Sequence, residues 1–161
     1  MVLLPLVCSK VDVPVIAAGG IVDGRSMAAS FVLGAEGVQM GTRMLSAAES
    51  PVHERYKQLV VDSTESDTVL LNRFAQPAFR VVRTPRSSDL EREVAVSLGE
   101  LGGLLDLYFG GNLEAAFAFG GQVAGRIDEV RPVADILNET ISELHDVLAE
   151  LARSYPAAGA D

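Results

Sequence analysis

Two short glycine-bearing segments hold the chemistry this sequence offers. Val13–Ala18 (VPVIAA) is a nearly all-apolar run closed by Gly19-Gly20, and Gly37–Met40 (GVQM) is a second run closed by Gly41-Thr42. Each reads as a short strand of a parallel sheet covered on both faces. Between them, Asp23-Gly24-Arg25 reads as a turn, Ser26 as the N-cap of a helix through Leu33, and Gly34 as its C-terminal stop. Strand, helix and strand make a βαβ unit, and adjacent parallel strands carry both glycine pairs to one rim. Glycine lets backbone amides approach a ligand, the following helix starts favour an anion, and Thr42 adds a hydroxyl donor. A phosphate clamp is one reading; a pair of structural turns is the other.

Other chemistries find little support. No His, Cys or carboxylate cluster has metal-ligand spacing, so no metal is expected. No serine sits in a G-x-S-x-G elbow. His53, at the start of an amphipathic stretch, and His145, beside Asp146, read as surface residues. Glu91 and Glu93 read as a solvated helix face, and Cys8, the only cysteine, as a small core residue. One cysteine permits no intrachain disulfide, which suits a cytoplasmic setting.

The 161 residues suffice for one sizeable core. Hydrophobic residues at 48% and charged residues at 22% exclude a disordered chain. A net charge of -9 without a basic stripe excludes nucleic acid as an expected partner. Pro5, Lys10, Asp12 and Pro14 break the apolar start, which argues against a signal peptide, and no apolar run is long enough for a membrane span.

The elements expected to position the two segments follow from periodicity. The first ten residues read as the end of a helix, and Pro51–Val61 has helical spacing with Val52, Tyr56, Leu59 and Val60 on one side. Asp67–Leu71 and Ala78–Arg83 are β-rich, suiting a hairpin at a barrel mouth. Asp89–Leu98 reads as helical. Gly120-Gly121-Gln122 leads into a glycine-punctuated turn, and a final helix from Pro132 to about Ser154 bears the stripe Val133, Ile136, Leu137, Ile141, Leu144, Leu148 and Leu151. The expected division is 1–61 for the βαβ part, 62–119 for a small lid-like subdomain, 120–155 for a return segment and final helix, and 156–161 for a disordered tail.

Val13–Leu45 (VPVIAAGGIVDGRSMAASFVLGAEGVQMGTRML) resembles the C-terminal flavin-phosphate region of the nitronate monooxygenase family, formerly called 2-nitropropane dioxygenases. The related flavin-dependent enoyl-acyl-carrier-protein reductases share it. AAGGI, DGR and LGAEGVQMGTR are specific in that order and spacing, and DTVLL, PAFRVVR and GGQVAGRIDEVRPVADIL agree further along. The resemblance implies an α/β fold, the C-terminal part of a TIM (β/α)₈ barrel: strands 7 and 8 with their following helices, plus a small α+β excursion. A full barrel takes about 250 residues, so the earlier strands lie outside this chain.

The resemblance further implies FMN as cofactor. Gly20 matches the glycine whose backbone holds the FMN phosphate, with Gly19 supporting its turn. Gln39, Met40, Gly41 and Thr42 match the segment closing around that phosphate. Asp23, Gly24 and Arg25 are expected to be structural, and Gln122 falls in an element that the family places near the barrel mouth. Met44 stands where relatives commonly have Phe. The family's catalytic His belongs to an upstream strand, so no catalytic residue is expected here. The implied reaction converts an alkyl nitronate and O₂ to a carbonyl compound and nitrite. The alternatives are an enoyl-thioester reductase on the same flavin, and a truncated, non-catalytic partial barrel that pairs with itself or with a separate N-terminal half.

Overall fold

The computed structural model describes residues 2–93, 96 and 103–156. In chain order its elements are helix α1 (Leu3–Cys8), strand β1 (Ile16–Ala18), helix α2 (Gly24–Val32), strand β2 (Gly37–Gln39), helices α3 (Thr42–Leu45) and α4 (Glu54–Val61), strands β3 (Thr68–Leu71) and β4 (Phe79–Val82), helices α5 (Pro85–Leu90) and α6 (Leu104–Tyr108), a 3-10 turn (Gln122–Arg126) and helix α7 (Val133–Ser154). The fold is α/β, with two separate two-stranded sheets and no closed barrel among the described residues. The chain groups into two units, one running to Met40 and resuming at Val133, the other Gly41–Pro132.

In the first unit β1 and β2 pair in parallel, Ile16 against Gly37, Ala17 against Val38 and Ala18 against Gln39. Helix α2 makes the crossover. Its N-cap is Asp23 rather than Ser26: the Ser26 amide donates to Asp23 Oδ1 at 2.8 Å, and the Ser26 hydroxyl accepts from the Asp23 amide at 3.2 Å. The two residues form a reciprocal capping box, so Ser26 works from the third helical position. At the other end Gly34 takes φ +101, with Gly34 N–H donating to Phe31 O and Ala35 N–H to Ser30 O, both at 3.0 Å. This is the paired closure that a left-handed glycine permits. Half-buried Cys8 lies against Gly34.

Ala17, Ile21 and Ala35 form the first unit's core, with Leu4, Met27, Phe31, Val38 and Met40 packed on it. Only one face of β1 is covered: Ala17 is buried, while Ile16 is 57% exposed and Ala18 is exposed. The expectation of cover on both faces fails because no described layer lies over the second one. Helix α7 tells the same story. Ile136, Thr140 and Leu144 are buried, whereas Leu137, Ile141, Leu148 and Leu151 are each 41–44% exposed. Of its apolar stripe only Ile136 and Leu144 are buried.

The second unit is built around the antiparallel pair β3 and β4, which align Thr68 with Val82 and Leu71 with Phe79. Val69, Leu71, Val81, Val96 and Phe117 are its core. Helix α5 starts at Pro85 behind a Thr84–Ser87 capping box and ends at Leu90. The expected helix over 89–98 is therefore displaced toward the N-terminus. Thr84 caps and Pro85 pre-sets φ at the first helical position, a stronger local start than anything after Asp89. Residues 94, 95, 97 and 98 of that expectation lie outside the described residues, as do 157–161 of the expected tail. Helix α4 starts at Glu54, three residues later than expected, because His53 caps it: His53 Nδ1 accepts from the Arg55 amide at 3.1 Å.

Candidate functional site: the glycine turns at the strand ends

Register decides which of the six candidate residues meet. Since Ala18 pairs with Gln39, β1 and β2 end level, and Gly19, Gly20, Gln39 and Met40 emerge at one rim of the first unit. Gly19 and Gly20 adopt φ +98 and φ +76, left-handed values that cost an L side chain strain. Both are exposed, and a Cβ built on either meets no atom within 4 Å. Their backbone conformation, not crowding, demands glycine. Met40 packs its side chain on the core, so its backbone is what it can offer a ligand. Gln39 is exposed.

Gly41 and Thr42 open the second unit. Gly41 is exposed with an ordinary φ of -88, and a Cβ there also finds open space. Thr42 is the first residue of α3, and its Oγ1 accepts a hydrogen bond from the Gly121 amide at 3.1 Å. Exposed Gln122 follows directly at the start of the 3-10 turn.

Among the described residues, the amides of Gly20 and Gly41 donate to no loop carbonyl, and the Thr42 hydroxyl donates to nothing. None of the six residues is acidic. In the first unit the Gly20 amide, and in the second the Gly41 amide and the Thr42 hydroxyl, are donors of the kind that phosphate oxygens accept.

The residues expected to be structural are so. Asp23 caps α2, Gly24 N–H donates to Glu143 Oε2 at 2.8 Å, and Arg25 faces Glu143 at 3.5 Å and Glu150 at 4.0 Å. His145 is exposed, as expected. His53, expected to be exposed, is half-buried, and buried Gly111, at φ +70, lies against its ring. Glu91 is not on a helix face either. It lies just past α5 and ion-pairs with Arg83 Nη1 at 2.9 Å, a contact that holds its carboxyl below the usual carboxylate range.

Among the described residues no group of His, Cys, Asp or Glu could hold a metal ion. Tyr56 is no general base. Burial first, then Tyr108 beside it, pushes its pKa upward, and its hydroxyl donates to the Phe119 carbonyl at 2.8 Å. A hollow of about 200 Å³ at the hairpin tip is lined by Asn72, Arg73, Phe74 and Glu91 among others and includes none of the six. What sequence reasoning missed is Gly121 as a partner of Thr42. The two are 79 residues apart, and the glycine pair Gly120-Gly121 signalled only a turn.

Two parallel strands, the first ending in left-handed glycines, joined by a capped crossover helix, define an α/β protein. Comparison with known proteins sharpens that class: the chain belongs to the nitronate monooxygenase family, whose model matches residues 1–143. A probable nitronate monooxygenase of Staphylococcus saprophyticus is 51% identical over 72 residues, 45% of this chain and 20% of the relative. One from Staphylococcus aureus is 49% identical over 73 residues, 45% of this chain and 21% of the relative. Among solved structures, FabK from Thermotoga maritima superposes with a TM-score of 0.88 at 40% identity, covering 96% of this chain and 51% of that one. A nitroalkane oxidase from Streptomyces ansochromogenes gives 0.75 at 25% identity, covering 92% and 44%. The chain thus spans about half the length of the solved structures it matches. No described helix is long and apolar enough to cross a membrane.

Proposed function

We propose that this chain supplies the FMN-phosphate grip of a nitronate monooxygenase-type oxidoreductase, as the C-terminal part of a (β/α)₈ barrel. Support comes chiefly from the adjacent positive-φ glycines, Gly19 and Gly20, at the end of a parallel strand in a chain of this family. By the family resemblance, the Gly20 amide of the first unit and the Gly41 amide and Thr42 hydroxyl of the second are assigned to the phosphate, Gly19 to the turn, and Gln39 and Met40 to the backbone leading to it. FMN, when bound, supplies the redox chemistry that carries a nitronate and O₂ to a carbonyl compound and nitrite. The chain's own residues bind and orient; none is assigned a proton-transfer role. The uncovered side chains Ile16, Leu137, Ile141 and Leu148 call for cover, which the preceding barrel strands or a second copy of the chain supplies.

A second reading, the flavin-dependent enoyl-acyl-carrier-protein reductase, draws on the higher identity to FabK, 40% against 25% for the nitroalkane oxidase. It keeps the same grip and changes the substrate. Consumption of nitronate against oxidation of NAD(P)H, in the chain joined to its upstream strands, separates the two.

The grip itself is tested by titrating the chain with FMN and with riboflavin, in wild type and Gly41→Asp. At Gly41 a side chain enters open space at an ordinary φ, so the fold tolerates the change and the new carboxylate acts by repelling phosphate. The expected result is saturable FMN binding that Gly41→Asp weakens about tenfold or more, with riboflavin unaffected. A folded chain that binds FMN no better than riboflavin overturns the proposal.

A further inference from the structure

We infer that Gly121 is a positioning residue for the cofactor phosphate: its amide occupies one acceptor lone pair of the Thr42 hydroxyl and so leaves the Thr42 O–H as an outward donor. The inference rests on the phosphate-grip reading above and adds to it a backbone partner from a distant part of the sequence.

A threonine hydroxyl has one donor and two acceptor sites. A lone hydroxyl can rotate and offer an anion its lone pairs, which repel it. With Gly121 N–H seated on Thr42 Oγ1 at 3.1 Å, the orientations that keep this bond turn the hydroxyl hydrogen away from Gly121. Among the described residues that hydrogen has no acceptor. An amide donating into a hydroxyl also polarises its O–H and strengthens what it donates onward.

Gly121 can serve this way because its segment is fixed from several sides. The Val82 amide donates to the Ala118 carbonyl at 2.7 Å, Val81 bridges Phe119, and the buried Tyr56 hydroxyl donates to the Phe119 carbonyl at 2.8 Å. Gly120 completes the fit. A Cβ there would lie 2.5 Å from Val82 Cγ2, and Val82 is fully buried. Any side chain at 120 therefore lifts the turn off β4 and draws the Gly121 amide from Thr42.

The test titrates the full chain and its Thr42→Ser, Thr42→Val and Gly120→Ala variants with FMN and riboflavin. Circular dichroism monitors the fold, and hydrogen exchange reads the Gly121 amide. Thr42→Ser keeps FMN affinity within about threefold, because the hydroxyl and its partner remain. Thr42→Val and Gly120→Ala each weaken FMN about tenfold or more, leave riboflavin unchanged and speed exchange at Gly121. The double variant loses little beyond either single one, as expected for two changes to one hydrogen bond. If Gly120→Ala does not fold, the Ser–Val contrast at Thr42 decides. Wild-type FMN binding that Gly41→Asp weakens, but that Thr42→Val leaves intact or the two changes weaken additively, overturns this inference alone. Binding that ignores Gly41→Asp overturns the phosphate grip and this inference with it.

Discussion

Gly24→Ala is expected to destabilise the first unit by about 2 kcal/mol, although alanine is the better helix former. A Cβ at Gly24 would lie 2.6 Å from Thr140 O and 2.7 Å from Glu143 C, with Leu144 N closer still. All three are backbone atoms of α7, so no side chain can swing aside. Ordinary contact starts at 3.4 Å, so restoring it against Thr140 O alone needs 3.4 minus 2.6, or 0.8 Å, of helix displacement. Overpacking of this kind costs about 1–3 kcal/mol. The shift also stretches the 2.8 Å bond from Gly24 N–H to Glu143 Oε2, worth about 1 kcal/mol after allowing for a glutamate side chain one-third exposed. Removing glycine from the helix returns up to about 1 kcal/mol. At 2–4 °C per kcal/mol for a chain of this size, Tm falls by about 4–8 °C. Thermal unfolding followed by circular dichroism reads the change, and Gly37→Ala is the control. There the Cβ meets only Ile16 Cδ1, at 2.8 Å, the free end of an exposed side chain, so the cost stays within about 0.5 kcal/mol. A Gly24→Ala chain as stable as wild type, or a Gly37→Ala chain equally damaged, would refute the claim that α2 and α7 touch backbone to backbone.

Two further outcomes follow from the second unit and from its acid chemistry. Asn72 sits buried at φ +54, donating from Nδ2 to the Pro77 and Val96 carbonyls, both at 3.1 Å, and accepting from the Val96 amide at 2.6 Å; Asn72→Ala is expected to cost about 3 kcal/mol or more in urea unfolding, Asn72→Gly about 1 kcal/mol less, and equal costs would refute the backbone part of the account. The Asp67 carboxyl is held below its ordinary value of 3.8, first by the Thr64 hydroxyl and amide and then by Arg83. A carboxyl lowered by folding adds stability that is present above its unfolded value and disappears as pH falls through its folded value, so Asp67→Asn is expected to flatten the stability–pH curve below about pH 4, and parallel curves would show the group to be unlinked.

Local signals were legible and long-range ones were not. The βαβ unit, Gly34 as helix stop, the β3–β4 strands and α7 could all be read because periodicity and glycine placement act over a few residues. Even the Asp23–Ser26 cap was missed by only three positions, since both residue types cap helices. Helix α5 was misplaced because the apolar spacing after Asp89 outweighed the Thr84-Pro85 start. For the candidate site, the glycines announced a tight turn, but their left-handed backbone and open surroundings are properties of the folded chain. The tie between Thr42 and Gly121 left no mark on either neighbourhood, and the partly covered stripe of α7 could not be told from a fully covered one by its period alone.

The first unit is discontinuous along the chain, and this sets an order on biosynthesis. Residues up to Met40 leave the ribosome before α7, so α2 lacks its packing partner until α7 is made, with Gly24 and Glu143 separated by 119 positions. Gly41–Pro132 emerges in between as a continuous stretch with its own core, free to fold while the earlier segment waits. Closing so long a loop is slow, so the contact between α2 and α7 forms late.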